Sequence, residues 1–171
     1  TSSSMDLRTQ GADVWAHQHL FDLDEQGQPI TVTGVPPDYF SAEGQLWGNP
    51  QYHWQRMQGT AFEWWLQRFD SAARQFDIVR IDHFRALQAY WEIPAGATSA
   101  REGRWVEAPG RELLHAVRRR YPELKLVAEN LGLITADVEA LRAEFALPGM
   151  VVLQFAFDGS PDNPYLNHMH K

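Results

Sequence analysis

A chain of 171 residues has room for one sizeable core, and its composition, 44% hydrophobic and 22% charged, is that of an ordinary globular domain. A net charge of −7 is the wrong sign for a nucleic-acid partner, and the absence of cysteine excludes disulfides and thiolate metal sites. The longest apolar run, Met150 to Leu153, is too short to span a bilayer, and Thr1 to Gln10 lacks the apolar core of a signal peptide, so a cytoplasmic protein with no membrane partner is expected.

Thr1 to Gln10 is polar and aperiodic, which reads as a disordered or appended start. Residues 11–59 form a loop-rich insertion. In it Asp24 to Pro29 reads as a turn, with Ile30 and Val32 as a short strand behind it. Gly34 to Pro50 is a long loop stiffened by Pro36 and Pro37 and rich in aromatic residues, read as a rigid lid or cleft wall.

Residues 60–171 carry a repeating order of helix and strand. Thr60 and Glu63 make a capping box for a helix to Phe76, with Phe62, Trp65, Leu66, Phe69 and Ala73 on one face. The apolar strand Ile78 to Ile81 follows. Arg111 to Tyr121 is a second helix, stopped by Pro122 before a strand over Leu124 to Ala128. Thr135 caps a third helix, and Pro148-Gly149 turns into a third strand, Met150 to Phe157. This spacing predicts an α/β fold of about three parallel strands with covering helices. Between the first two units Pro94 to Pro109 reads as a long loop. At the end, His168 and His170 resemble a metal pair, but without an acidic or Cys partner they read as a polar tail.

The chemistry gathers where two strands end. Phe76 to Arg85 runs apolar and then turns charged, with Arg80, Asp82, His83 and Arg85 within a few residues. Arg80 and Asp82 are two apart, so on a strand they share a face, and the guanidinium keeps the carboxylate ionised. A structural ion pair at a strand end has the same pattern. The strand Leu126 to Ala128 likewise ends in an acid, Glu129, followed by Asn130 and Gly132. Acids on neighbouring parallel strands, about 4.8 Å apart, reach the separation used by retaining glycosidases, unless they are two unrelated rim acids. Val127, Ala128 and Leu131 around Glu129 should raise its pKa toward a general acid's, leaving Asp82 as the nucleophile. The seven tryptophans serve either as core or as flat rings for stacking on sugars.

The segments GVPPDYFSAEGQLWGNP, VRIDHFR, EGRWVEAPG and VAENLG, in that order, resemble the 4-α-glucanotransferases, the amylomaltase or disproportionating-enzyme family. ADVWAHQHLFDLDEQGQP and NPYL fit the same family, and the match runs from about Gly11 to His168. The resemblance implies part of a (β/α)₈ TIM barrel with inserted subdomains, and Asp82 as nucleophile with Glu129 as acid/base. It implies substrate contacts from Arg80, His83, Asp38, Tyr39, Gln45, Trp47 and Asn130. The substrate is an α-1,4-glucan, transferred between maltodextrins without metal or organic cofactor. A third essential carboxylate of the family, in a His-Asp motif, is not matched here, nor are the early barrel strands. A fragment is therefore expected, homo-oligomeric if it folds alone. A non-catalytic glucan-binding piece and an α-amylase-like retaining hydrolase are the alternatives.

Overall fold

Helical periodicity places the apolar residues of residues 60–145 on inner faces, and those faces make the core. The computed structural model of the protein describes residues 11–38, 41–157 and 159. Its helices are α1 (Ala12–Ala16), α2 (Trp54–Gly59), α3 (Glu63–Gln75), α4 (Gly110–Arg120) and α5 (Ala136–Glu144). Its strands are β1 (Thr31–Val35), β2 (Gln45–Pro50), β3 (Ile78–Ile81), β4 (Ala89–Pro94), β5 (Arg104–Glu107) and β6 (Lys125–Ala128).

Two sheets result. β3 and β6 pair in parallel, from Ile78 opposite Lys125 to Ile81 opposite Ala128. The expected helices cover this pair: α3 buries Trp64, Leu66 and Phe69, α4 buries Leu113, Leu114 and Val117, and α5 buries Val138 and Leu141. Inserted between β3 and α4, the β4–β5 hairpin joins β1 and β2 in an antiparallel sheet of order β2-β1-β4-β5. Its own small core is Val32, Ile93 and Ala100. Among the described residues no helix is long and apolar enough to cross a membrane.

The structure departs from the sequence reading in four places. Met150 to Phe157 is not a third strand. Ala128 N–H reaches Pro148 O at 2.8 Å, but the Met150 N–H then turns to the Asn130 side chain, and Leu153–Ala156 closes into a 3₁₀ turn. With Val151, Leu153 and Phe157 exposed, the segment has the composition of a strand but joins neither sheet of the described residues. Second, the two presumed long loops hold β2 and β5, short strands that each pair with the strand just before them, β1 and β4. Third, the Thr60–Glu63 capping box does not form. Ala61 and Phe62 take left-handed backbone between α2 and α3, so the Thr60 hydroxyl donates back to Met57 O at 3.1 Å and finishes α2 instead. Finally, Trp64 rather than Trp65 is the more deeply buried indole of α3.

The insertion is fastened tightly at Gly110, the first residue of α4, where a Cβ would stand 2.0 Å from Leu87 O and 2.5 Å from Leu87 Cβ. Gly110→Ala should therefore cost about 1–3 kcal/mol in urea unfolding, because backbone must shift to admit the methyl. Gly59→Ala, at the end of α2 with open space around it, should be neutral or stabilising by up to about 1 kcal/mol. Equal effects at both positions would refute the close approach.

Candidate active site at the β3 and β6 ends

Parallel strands in register deliver matching residues to one edge. Immediately after the last paired residues, Ile81 and Ala128, come Asp82 and Glu129, and matching positions of such strands leave the same face of the sheet. The ladder continues through them: Glu129 N–H donates to Ile81 O at 2.9 Å, and Phe84 N–H to Glu129 O at 3.0 Å. Both sequence-predicted acids thus share one rim.

They are held differently. Arg80 Nη2 meets Asp82 Oδ1 at 2.5 Å, as the same-face spacing predicts, while its Nη1 lies 3.6 Å from the Met150 sulfur. Glu129 meets backbone: Oε2 accepts His83 N–H at 2.8 Å and Oε1 accepts Leu131 N–H at 2.9 Å. The expected apolar surroundings of this carboxylate are therefore replaced by two fixed donors, because the chain on both sides of it turns its N–H groups inward.

His83 sits in the left-handed region at φ 48°, which aims its N–H at Glu129. Its ring packs edge-on against Trp47, with centroids 4.9 Å apart. The residue is half-buried, but its Nε2 is sealed from solvent and has no hydrogen-bond partner among the described residues. Burial pushes the imidazole down to about 4; the Asp82 charge opposes this and the Arg85 charge adds to it.

The aromatic loop reaches the same rim. Trp47 is half-exposed, and its Nε1 donates to Gln45 Oε1 at 3.0 Å. Asp38 Oδ1 accepts Ser41 N–H at 2.9 Å. Its Oδ2 faces Gly132, where an added Cβ would stand 3.7 Å away, in the loop after β6. Tyr39 lies outside the described residues, as do His168 and His170. Asn130 is engaged inside the chain: its Oδ1 accepts Met150 N–H at 3.0 Å, and its Nδ2 donates to Glu139 Oε1 at 3.1 Å.

A cavity of about 420 Å³ opens beside Arg80, Asp82, His83 and Trp47, walled further by Tyr90 and Trp91 of β4 and by Trp54 and Trp65. Glu129 does not line it, and joins the group through its bond to His83. Among the described residues no group of three His, Asp or Glu side chains is placed to hold a metal ion. Sequence reading gave no role to Tyr90, Trp91 or Arg85. The Ala-Tyr-Trp-Glu-Ile alternation of β4 was the available signal for the first two, and a cation immediately after the apolar Phe84 for the third. A carboxylate pair on one rim, a guanidinium on one of the acids and flat rings along the adjoining cavity are an arrangement that can support nucleophilic and acid–base chemistry.

The family model described as 4-alpha-glucanotransferase matches residues 5–171. Over 157 residues the chain is 54% identical to a 4-alpha-glucanotransferase of Thermus thermophilus, covering 92% of this chain and 31% of that protein. It is 47% identical to a chloroplastic/amyloplastic 4-alpha-glucanotransferase of Arabidopsis thaliana over 94% of this chain and 28% of the relative. Among solved structures, an amylomaltase from Streptococcus agalactiae in complex with acarbose superposes with a TM-score of 0.87 at 38% identity, over 96% of this chain and 33% of that one. The chain thus spans about a third of the length of these relatives.

The sealed His83 ring makes stability depend on pH. Its folded value of about 4 lies below the ordinary 6.5, so the unfolded chain takes up the proton first as pH falls. Stability is lost between pH 6.5 and 4, by up to about 3 kcal/mol. Urea titrations at pH 7 and pH 4.5 should show this extra loss in the native protein and not in His83→Asn, whose side chain tolerates the left-handed backbone. Equal losses in the two proteins would mean that the ring titrates freely.

Proposed function

The chain belongs to the 4-alpha-glucanotransferase family, and from that premise we propose that its rim acids carry the retaining transfer of α-1,4-glucan segments between maltodextrins, an activity of the whole protein. One observation supports this most: Asp82 and Glu129 stand side by side past the ends of in-register parallel strands, each oriented by a different partner. We take β3, α4 and β6 as part of a (β/α)₈ barrel, whose catalytic groups sit at the carboxyl ends of its strands.

In this reading the Asp82 carboxylate attacks the anomeric carbon of the donor glucan while Glu129 gives its proton to the departing glycosidic oxygen. The C–O bond breaks and a β-glucosyl-enzyme ester forms. Glu129, now a base, takes the proton of an acceptor 4-hydroxyl, whose oxygen displaces Asp82 and restores the α-1,4 linkage. Arg80 steadies Asp82. His83, neutral because its ring is buried, lines the cavity without adding charge, and Trp47 offers a stacking face. Asp38, Tyr39 and Gln45 belong to the aromatic loop that would close over the sugar. Asn130, with its amide and carbonyl both engaged by the chain, serves by holding the Glu129 loop. A cytoplasmic protein acting on dissolved glucans is the setting this chemistry implies. Phe76 at the end of α3 and Ile78 at the start of β3 are exposed, beside a strand edge that favours self-association. Sedimentation at micromolar concentration should accordingly find an oligomer, and a folded monomer would contradict it.

Incubation of the complete protein with maltotriose separates the reactions. Glucose with longer maltodextrins is the expected product pattern. Maltose with glucose would mean a hydrolase, and unchanged maltotriose a binding protein. Asp82→Asn should lower transfer by at least ~10³-fold, since no ester can form. Activity close to wild type in that variant would remove Asp82 from the nucleophile's role.

A further inference from the structure

Arg85 is a buried cation without a described carboxylate partner in contact. It is 6% exposed, and burial lowers its pKa, with the charge of Asp137 opposing. Nη1 donates to Leu133 O at 2.6 Å. The guanidinium carbon stands 3.6 Å from the ring centroid of Trp105 on β5, and Nε has no partner among the described residues. A charge buried so deeply is expensive to keep unless it fixes something.

What it fixes follows from its neighbours along the chain. Two residues before Arg85 is His83, whose N–H holds Glu129 Oε2; two residues before Leu133 is Leu131, whose N–H holds Oε1. The Arg85–Leu133 bond therefore closes a ring of contacts that runs from Glu129 to His83, along the chain to Arg85, across to Leu133 and back through Leu131. Between Leu131 and Leu133 lies Gly132 at φ +83°, a turn with no side chain of its own to pack. Without the Arg85 bond nothing described ties the Leu133 backbone to the β3 side of the rim. The Trp105 face sets the plane of the guanidinium, which a flexible ammonium could not reproduce.

We propose that Arg85, seated on Trp105, is a positioning residue for the acid/base. It staples together the two backbone donors that orient the Glu129 carboxylate. The inference rests on the reading of Glu129 given above, and it assigns a task to the Glu-Gly-Arg-Trp-Val-Glu-Ala-Pro-Gly segment, whose Trp105 seats the Arg85 guanidinium.

The test compares Arg85→Met and Arg85→Lys with Arg118→Met in the complete protein. Arg118 is a matched control, an arginine on the Leu124 carbonyl at 2.9 Å and on Phe145 O, at the other end of β6. Amide hydrogen exchange should quicken at Leu131 and Leu133 in Arg85→Met and stay unchanged there in Arg118→Met. Maltotriose transfer should fall roughly 10- to 100-fold in kcat in Arg85→Met, with KM within about twofold and the acid/base limb of the kcat–pH profile displaced. Arg85→Lys should recover part of kcat, and Arg118→Met should keep all of it. Trp105→Leu, at a half-exposed position, should repeat the Arg85→Met pattern more weakly and serves if that variant does not fold. Unchanged exchange at Leu131, or equal kcat losses in the Arg85 and Arg118 variants, would overturn the proposal. A wild-type protein without transfer would instead overturn the reading of the site, and exchange at Leu131 alone would then decide for or against the staple.

Discussion

The parallel register of β3 against β6 is the constraint on which the rest depends. Each strand is only four residues long, and two strands by themselves are marginal in water. Two things hold them: the covering faces of α3 and α4, and backbone bonds that outlast the strands, from Glu129 to Ile81 and from Phe84 to Glu129. A slip of one residue would send Glu129 to the opposite face from Asp82. The site is therefore specified by the same bonds that specify the sheet.

The inserted antiparallel sheet sets the other side of the site. Its strands come close because Gly34 has no side chain; a Cβ there would meet Gln45 O at 2.3 Å. The buried Gln51 donates to Val32 O and Trp91 O at 3.3 and 3.2 Å, so a polar group clamps β1 to β4 with its donors used. This rigidity carries Trp47 from β2 onto the His83 ring. A flat ring serves as a stacking surface only when its angle is fixed, and here a sheet fixes that of Trp47.

Much of this was legible in the sequence, and the failures share a cause. The period of α3, α4 and α5, and the apolar strands ending in Asp82 and Glu129, are local signals, and they placed both acids on one rim. What depends on distant partners was not legible. β1 pairs with β4, whose residues lie about sixty positions away, and only that pairing joins the β1–β2 and β4–β5 hairpins into one sheet, in segments whose prolines and lack of period read as loops. Met150 to Phe157 has strand-forming residues, but composition does not supply a neighbour. The environment of Glu129 was misjudged because its flanking side chains are apolar while the atoms that touch it are backbone N–H groups, which a sequence does not display. The bonds of Asn130 to Met150 and Glu139 come from segments that only the fold brings near.

Two acids of similar chemistry must do unlike work in a double displacement, and the way each is held argues for the division. Asp82 has a charged side chain as its partner and is more than a third exposed, so it can be approached by an electrophilic carbon while the guanidinium keeps it aligned. Glu129 is gripped by two backbone donors with no rotational freedom of their own, which fixes the direction in which its carboxylate points. Under the proposed division Asp82 is open to attack, and exchanging the roles would require the nucleophile to leave two hydrogen bonds before attacking. The neutral His83 between them matters for the same reason: a charged imidazole there would compete with Arg80 for Asp82. Burial of the ring thus leaves Arg80 as the charged partner of Asp82.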